Sequence, residues 1–324
     1  MVHFLSSIQT RLTQQPVRIN LAYWLLPVLL LIAGTTKAQL GASSLNAPGI
    51  AINADYQPSS HYIRPEDSLK MPATTVQRRL SLGAGFCLSQ RIDTATGKIR
   101  AWNLGVMGSY TSFSNKDYEG AIFPKELLGA SIGLQHIRTL NNKWSLMAMI
   151  SAGLFTDMEK IDYNDVFLNG GVIFIRKINP KLNLGLGAAL TNSFGTPMIL
   201  PALLVQWRTG NRFKVDINFP ENISVSSALS KYDDLALAFR FNGGAYDVEN
   251  GKDGKRLMGY QEMSLGLENT LHLTKKIDFN LAGGTVLLRS VTFKDKKLSD
   301  IFSEKPQHRL ATNLFVSAGI RCRF

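Results

Sequence analysis

The strongest constraint in this chain is a two-residue alternation running to Phe324. In one register stand Leu310, Thr312, Leu314, Val316, Ala318, Ile320, Cys322 and Phe324; in the other stand Ala311, Asn313, Phe315, Ser317, Gly319, Arg321 and Arg323. Successive side chains of a strand point to opposite faces, so this segment has one apolar face and one that is small, polar or cationic. It exceeds the roughly 9 to 11 residues that a tilted strand needs to cross a hydrocarbon core. An edge strand of a soluble sandwich can alternate in the same way, so the remainder of the chain must choose between two solvents.

The other end points to export. Residues 1–20 carry Arg11 and Arg18 and no acid, residues 21–33 (LAYWLLPVLLLIA) form a short apolar core, and GTTKAQ offers small residues for cleavage between Ala38 and Gln39. That core contains Pro27 and falls short of the roughly 20 residues of a spanning helix, so a cleavable signal peptide over 1–38 is expected rather than an anchor. No cysteine adjoins the cleavage site, which argues against lipoprotein processing. Residues 39–324 are then the mature domain.

Losing Arg11, Arg18 and Lys37 with no acid takes the formal charge from +12 to +9. A nucleic-acid binder concentrates such charge on one patch or helix. Here Lys and Arg are scattered through turns and loops, so no nucleic-acid partner is expected. No apolar run after residue 38 could span as a helix, while many glycines and few prolines suit a barrel. The two cysteines, Cys87 and Cys322, fall on opposite strand registers, so a disulfide between them is not expected, and neither has metal-ligand spacing.

Read in order, the chain yields amphipathic strands near residues 49–56, 76–90, 101–113, 127–140, 143–155, 166–178, 182–190, 199–208, 213–219, 222–229, 235–245, 261–273, 277–288 and 310–324. Connections after even-numbered strands, near 97, 141, 179, 210, 232 and 275, are short. Those after odd-numbered strands are mostly long: 57–74 with Pro58, Pro65 and Pro72, then 114–126, 156–165, 246–259 and a basic loop 289–308. The modest connection near 192–198 and the tight one at Pro220-Glu221 blur the rule. Outer-membrane barrels alternate short periplasmic turns with long outer loops, and an even strand count leaves both termini periplasmic. The expectation is a transmembrane antiparallel β-barrel of about 12 to 14 strands in the cell outer membrane. Because backbone groups in hydrocarbon cannot pair with water, its first and last strands must pair with each other.

A terminal aromatic after a long amphipathic strand, as at Phe324, resembles the C-terminal recognition signal of bacterial outer-membrane barrels, which implies barrel-assembly machinery as a partner during insertion. Residues 199–248 carry a second resemblance. Leu200-Pro201, Trp207-Arg208, Gly210-Asn211, Phe219-Pro220 and Gly243-Gly244-Ala245-Tyr246 follow one another as in an uncharacterised Bacteroidota-type outer-membrane β-barrel family, a domain of unknown function. The resemblance implies a fold and a location and brings no catalytic residue.

Chemistry is sparse. On the polar register stand Arg79, Lys214, Asp216, Arg240, Glu262, Glu268, His272, Asp278, Arg321 and Arg323, the candidate lumen-facing charges. They could form a selective constriction or pair with one another and fill the lumen. Glu268 and His272 share a face but lie about 13 Å apart along a strand, too far for an acid/base pair. The mature histidines, His61, His136, His272 and His308, show no catalytic spacing, Gly83, Gly85, Gly185 and Gly187 lie mid-strand, and residues 251–256 (GKDGKR) lack P-loop spacing. No enzyme, cofactor or metal is expected. Trp102, Tyr110, Trp144 and Trp207 are candidates for interfacial girdles. Arg289, Lys294, Lys296, Lys297 and Lys305 could meet lipopolysaccharide phosphates. Two functions remain: a conduit or ligand-binding barrel for small solutes, or a structural subunit of a secretion or gliding assembly with a filled lumen.

Overall fold

The computed structural model describes residues 48–118, 122–193, 195–210, 212–249, 251, 254–295 and 306–324. The expected signal segment 1–38 with its Ala38/Gln39 cleavage site, Asn211, and Lys296, Lys297 and Lys305 of the basic loop lie outside the described residues. The described chain is almost wholly extended. Its strands are β1 (Gly49–Ile63), β2 (Lys70–Asp93), β3 (Lys98–Lys116), β4 (Glu126–Thr139), β5 (Trp144–Thr156), β6 (Val166–Asn179), β7 (Leu182–Thr191) and β8 (Met198–Thr209). There follow β9 (Phe213–Phe219), β10 (Asn222–Ser230), β11 (Asp233–Asp247), β12 (Leu257–His272), β13 (Ile277–Lys294), β14 (His308–Leu310) and β15 (Asn313–Arg323).

Each strand pairs antiparallel with its sequence neighbour, and the ring closes where β1 meets β15, from Gly49↔Arg323 to Tyr56↔Val316. β14 and β15 both pair with β1 and with β13, so they are two parts of one stave, and the barrel has fourteen staves. Closure leaves no lengthwise edge, as a sheet in hydrocarbon requires. The outer face carries the apolar register, with Leu82, Ile132, Ile150, Leu186, Leu237, Leu267 and Val316 all exposed. Trp144 and Trp207 near the short-turn end and Tyr56 and Tyr110 nearer the other end are exposed. Trp102, at the short-turn end, instead stacks on His136 with ring centroids 4.2 Å apart. The eight residue steps of β3 from Trp102 to Tyr110 climb about 20 Å in a strand tilted near 40°, close to the height of a hydrocarbon band.

Strand extends into three of the expected loops. β1 and β2 run through most of 57–74, β11 and β12 shorten 246–259, and β13 extends to Lys294. The prolines that suggested a loop sit at irregularities. Pro58 falls in a register shift between Gln57 and Ser60, facing the break between β14 and β15, where Asn313 Nδ2 donates to the carbonyls of Pro58 (2.8 Å) and Ser59 (2.9 Å). Pro72 falls in the unpaired stretch between Ile63↔Lys70 and His61↔Thr74, where its missing N–H costs no ladder bond.

The end away from the termini is uneven. β9 and β10 have only 7 and 9 residues. Beyond Asn222↔Arg240, β11 has no partner on the β10 side, and its tip meets β5 across the barrel in a parallel bridge, Asp247↔Thr156. The 192–197 connection lies against the same stretch. A Cβ on Gly243 would fall 2.2 Å from the Ser193 carbonyl oxygen, and Gly195, at φ +78°, packs on Gly259. Only glycine lets these backbones approach so closely.

Candidate functional site

The interior holds two cavities end on end. The outer one, about 430 Å³, is lined by Phe113, Asn115, Tyr118, Phe123, Asp157 and Met258, among others. The inner one, about 270 Å³, is lined by Asn53, Asp55, Arg79, Ser109, Arg240 and Glu262, among others. Between them lies a septum with an apolar and a polar layer.

The apolar layer is a cluster that crosses the barrel: Tyr62 of β1, Phe113 of β3 and Leu127 of β4 pack with Tyr246 of β11, Met258 and Tyr260 of β12, and Val291 and Phe293 of β13. Phe155 of β5 bridges it to Phe167 of β6, with centroids 5.8 Å from Tyr246 and 5.9 Å from Phe167. Beneath it, Glu262 is 3% exposed and takes hydrogen bonds from several staves. Arg79 Nη2 and Nη1 donate to its Oε2 (2.9 Å) and Oε1 (3.2 Å). Gln57 Nε2 (2.9 Å), Gln77 Nε2 (3.0 Å) and the Tyr260 hydroxyl (2.5 Å) donate to Oε2, and Asn242 Nδ2 (3.3 Å) to Oε1. Arg289, 1% exposed, gives Nη1 to Gln57 Oε1 (2.7 Å) and Gln77 Oε1 (3.0 Å), while its Nε and Nη2 have no hydrogen-bond partner among the described residues. Arg79 is thus bonded directly to the Glu262 carboxylate and stands opposite Asp55 of β1, while Arg289 reaches the same cluster through Gln57 and Gln77.

The other expected lumen charges pair locally. Lys214 Nζ lies 2.6 Å from Asp216 Oδ2, and Arg240 Nη2 lies 2.6 Å from Glu268 Oε2. At the short-turn end Asp278 is fully buried between Arg323 and His272, whose Nδ1 is 2.8 Å from Asp278 Oδ1 and whose Nε2 is 3.1 Å from Asp234 Oδ2, with Arg321 Nη1 at 4.0 Å. The ten candidates thus fall into four separate groups, and only Arg79 and Glu262 reach the septum. The other histidines are held structurally: His61 by the Met71 carbonyl, His136 by the Ala101 carbonyl and His308 by the Tyr62 hydroxyl. Cys87 and Cys322 are free and exposed. On the opposite wall, toward the short-turn end, the lumen is apolar, with Met147, Ile173, Ala202 and Leu204 packed together.

Gln57, Gln77, Asn242, Tyr260 and Arg289 escaped the sequence reading. Arg289 corrects it: rather than meeting lipopolysaccharide from a loop, it lies inside the barrel. The cause is a bulge. Met263 pairs with Leu288 but Ser264 with Val286, so Leu287 is an extra residue and the inward register passes from Val286 to Arg289.

Outside the spanning segments, burial pushes the Asp157 carboxyl above its ordinary range, with Glu159 and Glu249 adding repulsion against two backbone amide donors. Asp162 is held below that range by the Asn164 amide and Lys160.

The family described as a domain of unknown function (DUF6268) matches residues 34–323. No curated protein matches the sequence. Among solved structures, the chain is similar to the Pseudomonas putida toluene transporter TodX, at 11% identity and TM-score 0.45 over 90% of this chain and 96% of that one. An outer membrane channel from Pseudomonas putida F1 gives 10% identity and TM-score 0.42 over 90% and 100%. The NanC porin gives 8% identity and TM-score 0.34 over 85% and 100%. At these values the barrel's own geometry has to carry any functional reading.

Proposed function

The chain belongs to the family described as a domain of unknown function (DUF6268), and we propose that it serves as an outer-membrane conduit or binding barrel for small solutes, closed at rest by its septum. The observation that carries this reading is the pair of cavities facing each other across one thin layer, inside a ring with a hydrocarbon-compatible exterior. A barrel serving only as an anchor has no need of cavities on both sides of a partition. The polar lining of the inner cavity, with Asp55 and Glu262 beside Arg79 and Arg240, suits a hydrophilic solute. The reading is non-enzymatic, and it includes export through cleavage after Ala38, assembly by the barrel-insertion machinery, contact with lipopolysaccharide and a Bacteroidota-type source. The likeness of residues 199–248 supports that source.

A specific feature favours the structural alternative: every acceptor oxygen of Glu262 is engaged, so the septum is well satisfied as a permanent filling. Planar-bilayer recording on the purified mature chain separates the two. The conduit reading expects small, infrequent steps, growing several-fold for Tyr260→Ala. Silence from both proteins, with each folded and heat-modifiable, would instead support the filled subunit.

A further inference from the structure

At the outer mouth, carboxylates from two distant stretches meet. Asp162 and Asp165 bracket the single 3-10 turn after β5, where Asp165 Oδ2 accepts from the Asp162 amide and Asp162 Oδ1 from the Asn164 amide, each at 2.7 Å. Asp247 ends β11 and arrives through its bridge to Thr156. One oxygen from each of the three lies within 4.8 Å of the others, and Asp165 and Asp247 are only 1% and 2% exposed.

The neighbouring cations leave this charge partly unmet. Arg256 contacts Asp247 and Glu249 but stands 4.0 Å from Asp162, and the exposed Lys160 reaches only Asp162, at 3.3 Å. Asp165 Oδ1 is buried and has no hydrogen-bond partner among the described residues. A carboxylate oxygen denied both water and donors is costly unless something else meets it.

We propose that Asp162, Asp165 and Asp247 bind a calcium ion that ties the β5–β6 connection to the tip of β11 and holds the mouth of the barrel closed. The donors are all oxygen, with no imidazole or thiolate, which selects a hard cation over zinc or copper. Calcium accepts irregular sets of carboxylate oxygens whereas magnesium demands a near-ideal octahedron, so a set drawn from a turn and a distant strand tip suits the larger ion. Further ligands come from water, since calcium takes about 6 to 8 oxygens. Three carboxylates beside a competing guanidinium place the dissociation constant on the order of 10⁻⁴ M, in the range of extracellular calcium modules. The inference stands on the mouth geometry and does not require the lumen to conduct.

The test uses the full mature chain refolded in detergent free of lipopolysaccharide, titrated with calcium chloride by calorimetry and melted with calcium or with chelator. One saturable calcium event and a higher melting temperature are expected, with a weaker response to magnesium, and Asp165→Asn should lower calcium affinity at least tenfold. Arg256→Gln supplies a second reading: removal of the competing charge should tighten calcium binding about threefold. Absence of a saturable event, an equal response in Asp165→Asn, or unchanged binding in Arg256→Gln would each overturn the site.

Discussion

Glu262 shows how much one side chain holds in a narrow lumen. Its carboxylate neutralises Arg79 and faces the hydroxyl of Tyr260 and three amide side chains, so Gln in its place takes from the buried Arg79 the acid it is bonded to. Breaking one side of a buried pair costs about 3 to 5 kcal/mol, and Glu262→Gln should lose stability on that scale in urea unfolding from lipid vesicles. Arg79→Met should cost less than the sum once combined with Glu262→Gln, giving a coupling of about 1 to 3 kcal/mol in a double-mutant cycle. Asp157 gives the opposite sign. Its folded carboxyl holds a proton more tightly than the unfolded one, so its penalty is fully present above the folded value and disappears as pH falls toward the ordinary range near about 4. In chelator, Asp157→Asn should therefore melt higher than the parent at neutral pH, and the difference should vanish at acid pH.

At the scale of the strand, period-two alternation made nearly all fourteen staves legible, because lipid outside and water or protein inside impose opposite demands on neighbouring residues. It located Arg79 and Glu262 on the inner face. It failed wherever the period slipped: Pro58 masked the continuation of β1 to Gln57 and beyond, and Leu287 reversed the parity that would have exposed Arg289 as an inward cation. A bulge carries no signature in a pattern of apolar and polar residues, and neither does the pairing of distant loops that brings Asp247 to Asp165. The same logic gives a paired prediction. Leu267, 55% exposed on the outer face of β12, should cost about 2 to 4 kcal/mol as Leu267→Arg near the bilayer midplane. Deleting Leu287 should preserve heat-modifiable folding, because Val286, Leu288 and Arg289 then alternate one-to-one with Ser264, Met263 and Glu262 and Arg289 still faces inward. If the deletion variant fails to fold, Leu287 is not a dispensable extra residue of that ladder.

Across the whole molecule, size explains why a septum needs more than side chains. Fourteen tilted staves at normal spacing enclose a backbone circle about 28 Å across, and side chains reaching about 6 Å from each wall leave a gap near 15 Å. That gap is narrowed by backbone: the tip of β11 leaves β10 and crosses to β5, and Ser193 and Gly195 of the β7–β8 connection pack against β11 and β12 at Gly243 and Gly259. The inward path depends on Gly243, which also lines the inner cavity and whose missing Cβ makes room for the Ser193 carbonyl. Gly243→Val cannot keep that contact without displacing the connection and shifting the Tyr260 carbonyl, which a Cβ would approach to 2.5 Å, while the remaining β11–β12 pairs hold the ring. Recorded in planar bilayers, Gly243→Val should retain heat-modifiable folding and show single-channel steps several-fold larger than the parent. Equal conductance in the two proteins would mean that the connection does not obstruct the path and that the aromatic layer alone closes it.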